Sequence, residues 1–545
     1  MECDKKRMAM RLTTAVATLC LLGGMAACSG TRPPTETGSP TATTAPRASG
    51  SVAVFTPSDG ITFSQHTPIN KWATFTPELK EALGKHGFAA SAFSSATGRS
   101  MDEQSRQVQD YVVSHSGHRA GKGDAAEPTT LIVAPATRPD ALARQYGDYV
   151  AYPMLNSRPS ESSGRSDRTR AQGEKRPSGE NGQDKDMKGK EEEAQAYRRL
   201  VSSLKLAKRE GMHVVLLSSD LAEVVPDLMV DMSNAEQIGR TQAQQLVGKL
   251  ELDKASSNSP RSIEVLIPSG SPDSDQHGED SAESSAEAFA QQSFKGIWQV
   301  LAPYFKDGRA VSPSGRLDAH SGEDSWRAVA FDPGTDTGAS AKQMSARLET
   351  DARSSGAQRI DGVIAMNDFI ASGVMDALGD MGYTGSSADV NPQISIGDIV
   401  GNMTGRKDLQ RHPVPRPQAS KTPGASKGET DGHGGAAEDT SPSDQHRWPI
   451  VTGYGAYIDN IPEIVNGRQW MTGLEDRHGL AASLAEACWR LNTGQGPASL
   501  PGVSDQERMG RHVPVLSLPL IAVSASNLKS TLIDTGYVKP AEAGL

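Results

Sequence analysis

Short apolar runs alternate with amphipathic stretches along most of this chain. Val52-Ala53-Val54-Phe55 comes first, followed by Leu131-Ile132-Val133-Ala134-Pro135 and Val214-Val215-Leu216-Leu217. Ile263-Glu264-Val265-Leu266-Ile267, Gly362-Val363-Ile364-Ala365, Ile394-Ser395-Ile396-Gly397 and Ile450-Val451-Thr452-Gly453 come later. Most are aliphatic at successive positions, as strands covered by helices on both faces must be. Helical spacing fills the gaps. Leu79 and Leu83 lie four apart, as do Ile370, Val374 and Leu378, while Leu246, Val247 and Leu250 share a face. Asp368 precedes the apolar-periodic stretch 369–378 and is placed to cap it. Strand–helix alternation of this kind predicts an α/β fold with crossover helices. The number of units predicts two doubly wound parallel-sheet lobes, with ligands at the carboxyl ends of the strands.

Polar filler interrupts the pattern. Residues 157–193 are Ser, Gly, Lys, Glu and Arg with hardly an aliphatic side chain, and 406–446 are similar and rich in Pro, Gly and His. Segments with so little apolar surface cannot offset the entropy of ordering, so both are predicted to be disordered insertions. Shorter polar stretches occupy 256–261 and 272–287. His433 and His446 sit in this filler without metal-ligand spacing and read as solvent-facing.

The amino-terminal pattern is different. Lys5, Lys6, Arg7 and Arg11 precede an apolar stretch that ends Leu21-Leu22-Gly23-Gly24-Met25-Ala26-Ala27-Cys28. A basic start, a short apolar core and small residues before the cut describe a secretory signal over residues 1–27. The cysteine directly after the small residues resembles the lipobox of bacterial lipoproteins, with Met25 where Leu is usual. That resemblance implies acylation of the Cys28 thiol and a lipid anchor on the extracytoplasmic face of the cell membrane. Residues 28–50 are Thr, Pro, Ser and Gly, a predicted disordered tether. No later stretch approaches the ~20 apolar residues of a membrane span. Residues 1–27 carry four basic and two acidic side chains, so their removal takes the formal charge from −10 to −12. Such an acidic chain argues against nucleic acid as a partner. Cys28 and Cys488 are the cysteines left, which gives no pair for an internal disulfide once Cys28 is acylated. Cys488 lies in Leu484-Ala485-Glu486-Ala487-Cys488-Trp489 and reads as a buried helix thiol.

Several further blocks, in order, resemble the sugar-binding proteins of ABC importers, in the xylose-binding and multiple-sugar-binding subgroup of the type I periplasmic-binding fold. Lys71-Trp72 stands where that family has Arg-Trp. Ser95-Ala96-Thr97-Gly98 with Gln104 and Gln107 resembles Ala-x-Gly followed by Gln-x-x-Gln. Ala207-Lys208 through Val214-Val215, Ile238-Gly239 through Gln242-Ala243, and Gly270-Ser271-Pro272-Asp273 match further blocks. Asp361-Gly362-Val363-Ile364-Ala365-Met366-Asn367-Asp368 with Ala371 and Gly373, then Val451-Thr452-Gly453, then Gly467-Arg468-Gln469-Trp470-Met471-Thr472, complete the series. The resemblance implies two lobes joined by three crossovers. The first lobe is expected at 51–230 plus 472–496 and the second at 231–471 plus 513–545.

The resemblance also implies a ligand site between the lobes. The candidates it marks are Lys71, Trp72, Ser219, Asn234, Asn367, Asp368, Tyr454 and Gln469. Sugars are gripped by charged and amide groups on hydroxyls and by an aromatic face on the C–H side. Trp72 either stacks on a ring or packs in its lobe's core, and Lys71 either grips the ligand or is solvated. Asn367 and Asp368 are candidates to grip hydroxyls, whereas Asp368 either does so or serves purely as a helix cap, the two jobs being compatible. Tyr454 either stacks on the ligand or packs under the inserted loop. Gln469 and Asn234 lie near the predicted crossings and serve either ligand or hinge. The chain departs from the family where Leu217-Ser218-Ser219 replaces Tyr-Asp-Arg, Asn234-Ala235 replaces Asp-Asn, and Tyr454-Gly455 replaces Gln-Asp. Two charged ligand positions are thereby lost, which changes the hydrogen-bond inventory of the cleft.

Catalytic patterns are poor. Ser202-x-x-Lys205 and Ser526-x-x-Lys529 lack the elements that accompany a serine acylase motif, and there is no His-Glu-x-x-His, nucleophile elbow or phosphate-cradling loop. Asp332 and Asp336 are too loosely spaced for a calcium loop. The expectation is a lipid-anchored solute-binding protein, not an enzyme, without cofactor or metal. Its expected partners are a small polar ligand, most simply a carbohydrate, and the permease subunits of an ABC importer. The alternative is a sensing or structural surface lipoprotein with a degenerate cleft that acts through a protein partner.

Overall fold

The computed structural model describes residues 50–59, 67–116, 127–136, 141–150, 180–269, 282–349, 358–388, 446–508 and 510–542. In chain order its strands are β1 (Ser51–Pro57), β2 (Phe93–Gly98), β3 (Thr129–Val133), β4 (His213–Leu217), β5 (Leu228–Asp231), β6 (Arg261–Pro268) and β7 (Ala310–Val311). They continue with β8 (Ala330–Phe331), β9 (Gly362–Ala365), β10 (Ile450–Tyr454), β11 (Met471–Leu474), β12 (Val503–Arg508), β13 (Arg511–Ser517) and β14 (Ile521–Ser524). The first sheet runs β12-β13-β5-β4-β3-β1-β2, and the second runs β14-β11-β10-β9-β6-β7 with β8 also on β6. Pairing is parallel except at two edges, where β12 lies antiparallel to β13 and β14 antiparallel to β11.

The apolar runs become central strands for the reason their sequence implies. All side chains of β3 and of β9 are buried, because helices cover both faces. On the first sheet one face packs Val52, Val54, Ile132 and Val215 against helices Trp72–Lys85 and Arg477–Asn492. The other face packs Ala53, Leu131 and Val214 against Met101–Ser116 and Glu180–Arg209. In the second lobe helices Ala235–Leu250 and Ala282–Lys306 cross closely. The crossing needs two glycines: a Cβ on Gly239 would strike the Ser293 carbonyl, and one on Gly296 would strike the Glu236 carbonyl.

Three connections join the lobes. The chain passes from β5 into helix Ala235–Leu250, from β11 into helix Arg477–Asn492, and from β13 into β14. The three-connection expectation therefore holds, but its boundaries shift. The stretch 472–474 lies in β11 of the second sheet, and 513–517 lie in β13 of the first. Only the helix after β11 returns to the first lobe before the β12–β13 hairpin closes that sheet's edge. The expected insertion at 157–193 also shrinks, because helix Glu180–Arg209 starts within it. Its first turns carry four Glu and three Lys that favour helix, and they propagate from the buried face of Ala196, Tyr197, Leu200 and Leu204. Cys28, the 28–50 tether except Gly50, residues 157–179, residues 270–273, the strand expected at 394–397 and all but His446 of the 406–446 insertion lie outside the described residues. Cys488 is a buried free thiol on helix Arg477–Asn492.

Candidate functional site

In the first sheet the strand order reverses between β1 and β3, and the carboxyl ends of strands at such a switch point are where open α/β sheets bind ligands. The loops that leave those ends carry Pro68, Ile69 and Asn70 after β1, and Gln145 and Tyr146 after β3. Facing them from the second lobe are Asn367, which follows β9, and Tyr454, Gly455 and Tyr457 at the end of β10. The two faces meet in a seam. Asn367 Nδ2 donates to Gln145 Oε1 at 3.1 Å, the Tyr457 hydroxyl donates to the Gln145 carbonyl at 2.8 Å, and the Ile69 amide donates to the Gly455 carbonyl at 3.1 Å.

The hydrogen bonding of the seam is incomplete. Asn70 is 0 % exposed, yet neither Nδ2 nor Oδ1 has a partner. It faces the Tyr454 hydroxyl without reaching bonding geometry. The Tyr146 hydroxyl is likewise buried and unpartnered, and it faces Asn367. A buried polar group without a partner costs about 1–3 kcal/mol, and Asn70 and Tyr146 put three such atoms on the seam. The groups gathered here are amides and phenols, which donate and accept without carrying charge.

The seam connects to the hinge. Ser233 lies in the first crossover with a left-handed φ of 46°. Its Oγ pairs with the Tyr454 hydroxyl at 2.7 Å, and both its backbone amide and its Oγ donate to Glu475 Oε2 in the second crossover. Gln237 Nε2 donates to the Leu518 carbonyl in the third at 2.7 Å. Burial raises the Glu475 carboxyl to about 7 against the Ser233 bonds that lower it. A side chain at the seam, Tyr454, is therefore one hydrogen-bonding residue away from a titratable hinge carboxyl.

The structure brings two of the sequence candidates, Asn367 and Tyr454, into the seam and puts the others around it. Trp72 is 2 % exposed in the first-lobe core, edge-on to Tyr149 with ring centroids 4.8 Å apart. Lys71 pairs with Asp148 at 3.7 Å, and Asp148 Oδ2 also accepts from the Trp72 amide. Burial and the neighbouring Asp59 raise Asp148, against Lys71, to about 7. Ser219 is buried in the turn after β4. Asn234 caps helix Ala235–Leu250 by accepting from the Gln237 amide. The cap of helix Asp368–Asp380 is Asn367, not Asp368: Asn367 has extended backbone, and its Oδ1 accepts from the Ile370 amide at 2.9 Å. Asp368 turns inward. It accepts from Gln469 Nε2 at 2.7 Å, from the Thr472 hydroxyl, and from the Tyr457 amide at 3.0 Å. Burial raises it to about 6 despite these donors. Asp368 and Gln469 thus brace the loop that presents Tyr457.

Asn70, Gln145, Tyr146, Tyr457, Ser233 and Glu475 were not marked by the sequence. The one signal for Tyr146 was two tyrosines, Tyr146 and Tyr149, in the loop segment after a strand's carboxyl end. Among the described residues no group of three or more His, Cys, Asp or Glu is placed to hold a metal, and no helix is long and apolar enough to cross a membrane.

Two lobes that meet at a reversal of strand order, joined by three connections, are the type I periplasmic-binding fold. Residues 196–405 match the family model described as a periplasmic binding protein domain. Solved structures similar to this chain include an ABC transporter solute-binding protein from Clostridium phytofermentans with bound β-D-glucose. It is 16 % identical with a TM-score of 0.45, over 90 % of this chain and 99 % of that one. A carbohydrate transporter solute-binding protein from Chloroflexus aurantiacus in complex with D-glucose is 16 % identical with a TM-score of 0.44, over 91 % and 98 %. A periplasmic ribose ABC transporter protein from Conexibacter woesei is 12 % identical with a TM-score of 0.43, over 89 % and 96 %. No curated protein matches the chain significantly.

Proposed function

We propose that this chain is an extracytoplasmic solute-binding lipoprotein that captures an uncharged carbohydrate between its lobes for an ABC importer. The observation that carries the proposal is the seam at the β1/β3 switch point, where Asn70 and Tyr146 are buried with unpaired polar atoms opposite Asn367 and Tyr454. Amides and phenols on both sides suit vicinal hydroxyls, and the tyrosine rings suit the C–H face of a sugar. The periplasmic-binding match over 196–405 supports the class. In this reading Cys28 carries the lipid, residues 28–50 hold the body off the membrane, and closure of the lobes presents a surface to the permease. Asn367 and Tyr454 contact the ligand, while Trp72, Asp368 and Gln469 support the loops that do.

A thermal-shift screen of the mature protein against neutral mono- and disaccharides tests this. A ligand at a hundred times its dissociation constant adds about 2.7 kcal/mol of apparent stability. A saccharide that raises the melting temperature in proportion to the logarithm of its concentration supports the proposal. No shift with any saccharide favours the second reading, a sensing or structural lipoprotein. That reading has its own support in the first-lobe side chains that already fill part of the seam.

A further inference from the structure

Three side chains leave the first lobe and seat in the second. Tyr146 is 1 % exposed within the second lobe's cluster, its ring centroid 4.7 Å from that of Phe289 and 6.2 Å from that of Tyr454. Val150 joins the same cluster. Ile69, from the other loop, packs with Ala456, Ile461 and Leu474 in a different second-lobe cluster. Hydrogen bonds from Asn367, Tyr457 and Ile69 cross between the same faces. The seam is thus held shut by the chain's own side chains.

The fit is good for the tyrosine ring and poor for its hydroxyl. The ring sits among aromatic and aliphatic neighbours, but the hydroxyl is buried and unpartnered. An occupant whose polar end stays unpaired is held less firmly than one that is fully bonded. A ligand that supplied hydroxyls to the Asn70 amide would bond atoms that the tyrosine leaves unpaired.

We infer that Tyr146, with Ile69 and Val150, is an internal occupant that closes the lobes in the absence of ligand, and that ligand gains the seam only as Tyr146 withdraws from Phe289 and Tyr454. Apparent affinity is then reduced by the fraction of protein in the withdrawn state, and any ligand shifts the balance only by its better contacts with the form it occupies. The inference deepens the binding reading and rests on it for the identity of the seam. The closure is tested without any ligand, so its failure leaves the binding reading to the saccharide screen.

The test is amide hydrogen exchange on the ligand-free mature protein, read at Ile69, whose N–H bonds across the seam to Gly455, with β1 amides as the reference within one lobe. Ile69 is expected to be protected in the wild type. Tyr146→Ala should lower that protection about tenfold or more while β1 stays protected. Tyr146→Phe, which removes only the unpaired hydroxyl, should raise it, and this variant decides the matter if Tyr146→Ala unfolds. Exchange of wild-type Ile69 at the rate of a free peptide overturns the inference. So does a Tyr146→Phe variant with protection at Ile69 equal to or below wild type, or a folded Tyr146→Ala variant with unchanged protection.

Discussion

Replacing Glu475 with glutamine should remove a pH dependence of stability that originates at the hinge. Glu475 is 1 % exposed, and burial raises its carboxyl from 4.5 to about 7, with Asp476 and Asp231 adding to the rise. The folded protein therefore keeps a proton that the unfolded chain releases. Because the folded value lies above the unfolded one, this group's contribution is fully present below pH 4.5 and is lost as pH climbs through about 7. At 1.36 kcal/mol for each pH unit of that interval, the contribution is about 3 kcal/mol. The glutamine side chain keeps an acceptor oxygen for the Ser233 amide and hydroxyl but does not titrate. Urea unfolding at pH 5, 6, 7 and 8 is the assay. Wild type should lose stability across the series, and Glu475→Gln should lose less, by a margin of about 2–3 kcal/mol between pH 5 and 8. Asp148, raised to about 7, and Asp368, raised to about 6, act with the same sign and leave a residual slope in the variant. Parallel profiles for the two proteins would refute the account of the hinge carboxyl.

Trp72→Ala should cost about 3–5 kcal/mol in urea unfolding, because the indole is a core side chain against Phe75 and Tyr149. Asn70→Leu, near in size, removes two unpaired polar atoms worth about 1–3 kcal/mol each, so the ligand-free melting temperature should rise while any saccharide-induced shift shrinks. Cys28→Ser should move the protein from the membrane to the soluble fraction. A variant that stays wholly membrane-bound would rule out Cys28 as the anchor.

The fold was legible where burial on both faces writes a continuous apolar run, as in β1, β3, β4, β6, β9 and β10. It was obscure where strands are short or one-sided. β2 carries Ser94 and Ser95 on an exposed edge, β11 is the four residues Met471–Leu474, and β13 includes His512 and Pro514. Misplacing β11 and β13 moved two lobe boundaries, because each sits beside a crossover and carries no periodicity of its own. At the site, Asn367 and Tyr454 were legible because each ends or follows a readable strand. Asn70, Gln145 and Tyr146 lie in loops whose residue types carry no pattern, and only the topology brings them opposite the second lobe. Trp72 and Asp368 illustrate the converse limit. A residue type that suits a ligand also suits a core or a buried hydrogen-bond hub, and packing decides between them.

The central claim is that the seam around Asn70, Tyr146, Asn367 and Tyr454 binds a neutral carbohydrate. Its most direct test is calorimetric titration of the strongest saccharide from the thermal-shift screen into wild type and Asn367→Ser. Serine keeps an oxygen to cap helix Asp368–Asp380 but loses the amide that points across the seam to Gln145. The expected result is one site per chain in wild type, weakened about tenfold or more in Asn367→Ser, as the loss of one good hydrogen bond in a dry site implies. Equal affinity in the two proteins, or no heat of binding from any saccharide, would contradict the claim.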